Sequence, residues 1–221
     1  MEIFGKILLL GDIHGNFPHA FNLCNANTDT TIIQVGDFGI GFGKDNPERI
    51  NKYTNLRWIG GNHENMTRCK LYDGYLGRFG WFQWRPDINS PVTLKVFFCS
   101  GAWSIDWQHR TPGKDWWADE ELSAEEMDQA RKLYLDVKPD IVISHDCPSL
   151  LWPDLIKQIQ MLFGPNKIPT RTGTFLDDLF REHRPRQWFF GHYHGSAVIE
   201  KDGCVFHCLN IGETLLLDGL R

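Results

Sequence analysis

One local pattern occurs five times in the chain: a short apolar run followed directly by a turn that carries Asp, Asn or His. The runs are Ile7–Leu10, Thr31–Val35, Leu56–Ile59, Asp140–Ile143 and Gln187–Phe190. Short apolar runs bounded by turn residues predict buried strands, and strands that alternate with helical segments predict an α/β fold. Because ligands of open α/β sheets bind beyond the carboxyl ends of the strands, we expect the five turns to lie at one rim.

The side chains in these turns are oxygen and imidazole donors, which is unusual for residues that follow core strands. They are Asp12, His14, Asp37, Asn62, His63, His145, His192 and His194. Such groups are rarely buried unless they are paired or bind a metal. Asx residues also cap turns, but capping does not explain why each turn brings a further potential ligand. Imidazoles suit transition metals, and two closely spaced ions suit displacement at phosphorus, so the sequence predicts a two-metal site.

Length and composition restrict the class of protein. The 221 residues, of which 42% are hydrophobic, fit one globular domain over residues 1–221. No apolar run approaches the roughly 20 residues that span a bilayer, and the first residues lack a signal-peptide pattern, so we expect a cytoplasmic protein without membrane contact. A net charge of −5 does not favour nucleic acid as a partner. Six scattered cysteines without CxxC spacing predict neither disulfides nor a thiolate metal site.

Helix and turn signals predict the remaining elements. Residues 3–10 are typical of a single strand, and Ser123 begins a capping box that starts a helix. A further helix is expected to carry His63. Residues 164–173 are predicted to form a loop, and Thr174 is predicted to cap the helix that follows. Two sheets covered by helices are the expected architecture.

The order and spacing of the polar turns resemble the five motifs of the calcineurin-like metallophosphoesterase family. The matching segments are Asp12-x-His14, Gly36-Asp37, Gly61-Asn62-His63-Glu64, His145 and Gly191-His192-x-His194. One such motif would be a weak signal, whereas five in the same order are specific. The resemblance implies a four-layer α/β sandwich in which two mixed β-sheets are flanked by helices.

The resemblance also implies a role for each matched residue. The first ion would be held by Asp12, His14 and His194, and the second by Asn62, His145 and His192, with Asp37 bridging both. A metal-bound hydroxide would attack phosphorus, and His63 would assist the leaving group without binding metal. Manganese is the expected ion, with Fe, Zn, Ni, Co or Mg as alternatives.

Two of the motifs depart from the pattern of the family's protein phosphatases. Those enzymes carry Gly-Asp-x-x-Asp-Arg-Gly at the second motif, whereas this chain has Ile40 in place of the second Asp and no Arg after it. Gly60 stands where those phosphatases place another Arg. The departures argue against phosphoprotein substrates, and the paired His192 and His194 are more usual in phosphodiesterase, nuclease and small-molecule branches.

A tryptophan-rich segment, residues 100–121, is the candidate replacement for the missing groups. We expect Arg110 to grip a phosphate oxygen and a tryptophan such as Trp103 to stack on a base or cover the site, with Asp106 also near substrate. The alternative is that the aromatic residues only pack a long loop onto the sheet and that Arg110 pairs with Asp106.

The function expected from these features is hydrolysis of phosphomonoesters or phosphodiesters of small or nucleotide substrates by a dimetal centre. A nuclease and a non-catalytic metal-binding scaffold are the alternatives, although a scaffold would be expected to have lost ligands. Asp146 and Asn16 are candidates for orienting ligand imidazoles. The histidines outside the motifs are interpreted as structural: His19, His109, His183 and His207.

Overall fold

The computed structural model describes residues 1–42, 45–87, 89, 91–159 and 169–217. Of the loop predicted over 164–173, residues 164–168 lie outside these ranges, and residues 171–173 belong to a helix instead. The strands are β1 (Glu2–Phe4), β2 (Lys6–Leu10), β3 (Thr30–Gln34), β4 (Leu56–Trp58), β5 (Phe79–Arg85), β6 (Leu94–Cys99), β7 (Ile141–Ser144), β8 (Gln187–Phe190), β9 (Ala197–Lys201), β10 (Cys204–Cys208) and β11 (Thr214–Leu217). The helices are α1 (Phe17–Ala26), α2 (Pro47–Ile50), α3 (Met66–Cys69), α4 (Ala124–Val137), α5 (Trp152–Gln158) and α6 (Arg171–Glu182).

These strands form two mixed sheets. The larger sheet has the order β1-β5-β6-β7-β8-β10-β9, and the smaller has the order β11-β2-β3-β4. Strands β2, β3 and β4 are mutually parallel, as are β6, β7 and β8, so their carboxyl ends lie side by side within each sheet. The polar turns that follow β2, β3, β4, β7 and β8 therefore come from two sheets rather than from one.

Three apolar clusters separate the structure into four layers. Between the sheets, Leu9 and Val35 of the smaller sheet belong to the same cluster as Ile143 of the larger sheet. The outer face of the smaller sheet packs on α1, and the outer face of the larger packs on α4, α5 and α6. Successive side chains of a strand point to opposite faces, which is why Leu9 and Leu10 enter different clusters. The predicted four-layer α/β sandwich is confirmed.

The prediction of one strand over residues 3–10 is wrong. Gly5 has a φ of 80°, and this left-handed residue divides the segment into β1 and β2. β1 pairs with β5 in the larger sheet, whereas β2 pairs with β3 in the smaller one. The chain thus crosses from one sheet to the other at Gly5, whose carbonyl accepts a hydrogen bond from Trp84 Nε1 (2.8 Å).

Two predicted helix starts are also wrong. Thr170 rather than Thr174 caps α6, because its Oγ1 accepts a hydrogen bond from Gly173 N (2.8 Å). His63 lies in a turn before α3, whose cap is Asn65. The six cysteines are buried thiols. Within the described ranges, no helix has both the length and the apolar character needed to cross a bilayer.

The capping box predicted at Ser123 is present at the start of α4. Ser123 Oγ accepts a hydrogen bond from Glu126 N (3.2 Å), and Glu126 Oε2 accepts one from Ser123 N (2.8 Å). Replacing a capping Ser with Ala leaves a backbone donor unsatisfied. We therefore expect Ser123→Ala to lower the free energy of unfolding by about 1 kcal/mol in urea titrations. Ser123→Asp keeps an acceptor and should remain near the wild type; equal losses in both variants would contradict this assignment.

Candidate metal centre

The five polar turns meet where the two sheets face each other. The smaller sheet supplies Asp12 and His14 after β2, Asp37 after β3 and Asn62 after β4, while the larger supplies His145 after β7 and His192 and His194 after β8. Contacts cross between the sheets: His145 Nε2 lies 3.2 Å from Asp37 Oδ1, and His194 Nε2 lies 3.4 Å from Asp12 Oδ2. The rim predicted from the sequence is therefore built jointly by both sheets.

Two overlapping groups of these side chains have the proximity that metal ligands need. One group is Asp12, His14, Asp37 and His194, and the other is Asp37, His145 and His192. Within each group, one potential ligand atom per residue lies within 4.8 Å of every other. Asp37 belongs to both groups.

Asp37 has a carboxylate oxygen that the protein leaves unsatisfied. Oδ1 accepts a hydrogen bond from His63 N (2.8 Å), but the buried Oδ2 has no hydrogen-bond partner among the described residues. Imidazole nitrogens of His14 and His63 are 3.7 and 3.9 Å from Oδ2. A buried ionised oxygen without a partner is costly, so this atom fits a position beside a cation.

The His145 imidazole is oriented toward the same point. Nδ1 is 3.1 Å from the carbonyl oxygen of Val35, which can only accept, so Nδ1 carries the proton in the neutral ring. Nε2 then presents a lone pair that lies 3.2 Å from both Asn62 Oδ1 and Asp37 Oδ1. Because three acceptor atoms cannot face one another unaided, either a proton on Nε2 or a metal ion must lie between them. A backbone carbonyl that fixes the tautomer is also the usual partner of a metal-binding histidine.

The pKa shifts of His145 and Asp37 also indicate that a positive charge is stabilised at this point. Burial by itself lowers the pKa of His145, but Asp37 and Asp12 outweigh burial and raise this pKa to about 10. Burial by itself raises the pKa of Asp37, but His145 and His63 hold it well below its usual range. The protein thus stabilises Asp37 as an anion, with a cation beside it.

On the other side of Asp37, the rings of His14 and His194 are arranged as a pair of donors. Their Nε2 atoms are 3.0 Å apart, and the ring planes are inclined at 86°. Two imidazole nitrogens bound to one ion at about 2.1 Å, at about a right angle, would be separated by about 3 Å. The observed spacing therefore fits a shared ion as well as it fits a hydrogen bond.

The backbone of the site is held in an unusual conformation. Of the six non-glycine residues with positive φ in the described ranges, four are candidate ligands: His14 (45°), Asp37 (57°), His192 (67°) and His194 (51°). A left-handed backbone costs an L-residue about 1–2 kcal/mol. Strain of this kind clusters at functional sites, where surrounding contacts maintain it.

Two glycines of the motifs are required because ligands approach their backbones closely. A Cβ on Gly61 would overlap Asp37 Oδ1, and a Cβ on Gly191 would overlap Asp12 Oδ1. The glycine before Asn62 and the glycine before His192 are therefore part of the site's geometry and not only turn formers.

Comparison with known proteins identifies the family. A family model described as calcineurin-like phosphoesterase matches residues 5–196. The chain belongs to this family. No curated protein matches the chain. Membership in the calcineurin-like phosphoesterase family supports a hydrolase of phosphate esters.

Several solved structures share the fold. TT1561 of Thermus thermophilus and a dimetal phosphatase from Danio rerio each give a TM-score of 0.55 at 10% identity, over 94% of this chain and 89% and 87% of those chains. GAP50, the anchor in the inner membrane complex of Plasmodium, gives 0.53 at 12% identity over 92% and 70%. At these identities the likeness shows the fold alone.

In this calcineurin-like phosphoesterase, Arg110 reaches the histidine predicted to assist the leaving group. Arg110 Nη2 is 3.0 Å from His63 Nε2, and Arg110 Nε is 2.8 Å from Asp106 Oδ1. Arg110 therefore pairs with Asp106, as one of the two alternatives expected, and also faces the site, as the other expected. Ile40, at the position of the absent Asp, is fully buried and offers His63 no acceptor.

Aromatic residues of the tryptophan-rich segment divide between the site and the surface. Trp117 packs edge-on against Phe42 (5.1 Å between ring centroids), and Phe42 lies 4.9 Å from the His63 ring. The sequence reasoning missed Phe42, which no motif includes. Trp103, predicted to contact substrate, lines a pocket together with Glu121, Pro169, Thr170 and Arg171 among the described residues.

Other contacts near the candidate ligands were not predicted from the sequence, or differ from the prediction. Asp146, a candidate for orienting an imidazole, accepts a hydrogen bond from the hydroxyl of Tyr193, the residue between His192 and His194. Gln34 Oε1 accepts from Gly36 N (3.1 Å) and supports the turn before Asp37. Asn16 occupies the N-cap position of α1 without a side-chain cap bond.

Glu64, the last residue of the third motif, joins two of the turns. Its Oε1 accepts from Gly39 N (2.6 Å) and its Oε2 accepts from Gly61 N (2.5 Å), and the side chain is fully buried. Burial and the nearby Asp37 raise the pKa of Glu64 to about 8. The residue thus holds the turns after β3 and β4 together close to the metal centre.

This raised pKa predicts a pH dependence of stability. The folded protein binds the Glu64 proton more tightly than the unfolded chain does, so this residue's contribution to stability is full below the unfolded pKa, about 4.3, and is lost as the pH rises toward about 8. Glu64→Gln has no such proton. In urea titrations of chelator-treated protein, the wild type should lose stability relative to Glu64→Gln between these pH values; a constant difference would contradict the assignment.

Proposed function

We propose that the protein is a dimetal-dependent phosphoesterase that hydrolyses phosphomonoesters or phosphodiesters of small or nucleotide substrates. The observation that carries the proposal is Asp37 Oδ2, a buried carboxylate oxygen without a hydrogen-bond partner among the described residues, in a side chain that belongs to both groups of candidate ligands. Residues 1–221 are proposed to form one domain, since β9, β10 and β11 beyond the matched motifs pair into the same two sheets.

The proposed ligand sets follow from the two groups of side chains. One ion would be held by Asp12, His14 and His194, the other by Asn62, His145 and His192, and Asp37 would contact both. Two bound divalent ions would supply the positive charge that activates water and neutralises phosphate oxygens. The mixed set of imidazole and oxygen donors suits manganese, with Fe, Zn, Ni, Co or Mg as alternatives.

His63 and Arg110 are proposed to lie on the side of the leaving group. Burial lowers the pKa of His63, and Arg110 lowers it further against the opposing effect of Asp37, so the ring is neutral near pH 7. The neutral ring accepts from Arg110 at Nε2. When a phosphate oxygen takes the guanidinium donor, Nε2 would be free to take up a proton from solvent and to donate it to the leaving oxygen. Asp106 would then hold Arg110 in place rather than contact substrate.

Metal content and hydrolysis test the central proposal together. Chelator-treated protein reloaded with Mn²⁺ should bind two ions per chain and hydrolyse p-nitrophenyl phosphate or its bis-ester. Asp37→Asn should lose tight binding of both ions, and activity should fall at least about 100-fold because charge at the reacting centre is worth roughly that much. Asp177→Asn, which changes a buried aspartate of α6, is the matched control and should retain both properties.

The same assays separate the alternatives. Cleavage of single-stranded oligonucleotides in preference to either chromogenic ester would favour a nuclease. Two bound ions without hydrolysis of any phosphate ester would favour a scaffold, a role compatible with the fold of GAP50. A wild-type protein that binds no more Mn²⁺ than Asp37→Asn would contradict the dimetal proposal itself.

The role of Arg110 predicts a kinetic effect without a loss of stability. Arg110→Ala should reduce kcat/KM at least about tenfold, which is the loss of one charge-assisted hydrogen bond to phosphate, while the thermal midpoint and Mn²⁺ content stay at wild-type values. Arg68→Ala removes an arginine paired with Asp45 (2.7 Å) outside the ligand groups and should leave kcat/KM unchanged. Wild-type kinetics in Arg110→Ala would show that Arg110 has a packing role and does not bind phosphate.

A further inference from the structure

The side chain of Asn62 has two chemically different ends, and only one of them can bind a metal. The amide oxygen carries lone pairs, whereas the amide nitrogen has none available and acts only as a donor. Asn62 Oδ1 lies 3.2 Å from His145 Nε2, toward Asp37, and the opposite end faces away from the candidate centre. The contacts of Nδ2 therefore determine whether the oxygen stays in a position to bind an ion.

A chain of hydrogen bonds runs outward from Asn62 into the tryptophan-rich segment. Asn62 Nδ2 is 3.0 Å from Ser104 Oγ, and Ser104 Oγ is 2.5 Å from Glu120 Oε2. The second carboxylate oxygen, Oε1, accepts a hydrogen bond from Ser104 N (2.9 Å). Asn62, Ser104 and Glu120 are 3%, 1% and 3% exposed, so bulk water does not compete for these bonds.

The Glu120 carboxylate, at the outer end of this chain of hydrogen bonds, determines which group donates and which accepts at every step. An ionised carboxylate can only accept, so the hydroxyl proton of Ser104 is donated to Glu120. Ser104 Oγ is then left as an acceptor toward Asn62, and the group that must face it is the amide NH₂. Burial raises the pKa of Glu120, and the two hydrogen bonds from Ser104 offset part of that rise.

The segment that supplies Ser104 and Glu120 is fastened to the turn that supplies Asn62. Gly101 N donates to the Gly60 carbonyl (2.8 Å), and Gly60 N donates to Ser100 Oγ (2.9 Å). The beginning of the segment is therefore held in register with the end of β4, which places Ser104 beside Asn62.

We propose that Glu120 and Ser104 are positioning residues that fix the Asn62 amide with its oxygen toward the second metal position. This inference rests on the proposed dimetal function. It adds an explanation of how one of the proposed ligands is oriented. It also assigns a purpose to part of the tryptophan-rich segment, namely to supply the acceptor that ends the chain.

Two substitutions break the chain in different ways. Ser104→Ala removes the link without changing charge. Glu120→Gln keeps the shape, but its NH₂ can donate to Ser104 Oγ, which allows the serine to donate to Asn62 Oδ1 and the amide to turn its nitrogen inward. Loss of a partner that orients a metal ligand typically weakens metal binding about 10- to 100-fold. We expect that loss for one of the two ions only.

The measurement is Mn²⁺ binding by equilibrium dialysis and by the electron paramagnetic resonance of free Mn²⁺, above neutral pH, with the unfolding midpoint of the chelated proteins measured in parallel. Glu121→Gln is the matched control, since Glu121 Oε1 also accepts from a backbone N–H and a hydroxyl, both of Thr172 (2.9 Å each). This control should bind both ions as the wild type does.

The outcomes are distinct. One ion bound tightly and one weakly in both Ser104→Ala and Glu120→Gln, but not in Glu121→Gln, supports the chain. Two ions bound at wild-type affinity in Ser104→Ala and Glu120→Gln overturns it. So does equal weakening in Glu121→Gln, which would mean that charge or segment stability is responsible. A wild type that binds fewer than two ions overturns the proposed function and this inference with it.

Discussion

Asp37 places a carboxylate where the two sheets meet, fully buried and surrounded by imidazole nitrogens. A buried anion is tolerated only with compensating charge or hydrogen bonds. Much of the local structure follows from that requirement. His145 from the opposite sheet faces one oxygen, the backbone of His63 donates to the same oxygen, and Gly61 must lack a side chain to let the carboxylate approach. The left-handed backbone at Asp37 is maintained by these contacts.

The motif residues were predictable because each candidate ligand lies next to a strand end that the sequence marks by apolar composition and glycine. The four-layer arrangement followed from the resemblance carried by the same motifs. The division of residues 3–10 was not predictable, since both halves are apolar and only the pairing partners of β1 and β2 reveal the change of sheet. The cap of α6 was misplaced because Thr170 and Thr174 both satisfy the local signal, and tertiary context selects one.

The contacts of residues 100–121 could not be predicted from the sequence for a different reason. This segment has no periodicity, and its decisive contacts join residues far apart in the chain: Arg110 with His63, Trp117 with Phe42, and Ser104 with Asn62. The substitution of Ile40 for an aspartate indicated that something must replace a partner of His63. It did not indicate that the replacement would be a cation, Arg110. A neighbouring cation favours the neutral form of the His63 imidazole, whereas an aspartate would favour the protonated form.

We propose that the buried carboxylate of Asp37 is shared by two ions. Crystals of the protein grown with Mn²⁺, measured at a wavelength where manganese scatters anomalously, would locate these ions. We expect two anomalous peaks about 3.5–4 Å apart, one beside His14 and His194 and one beside His145 and His192, each in contact with Asp37. A single peak, or two peaks that Asp37 does not contact, would contradict it.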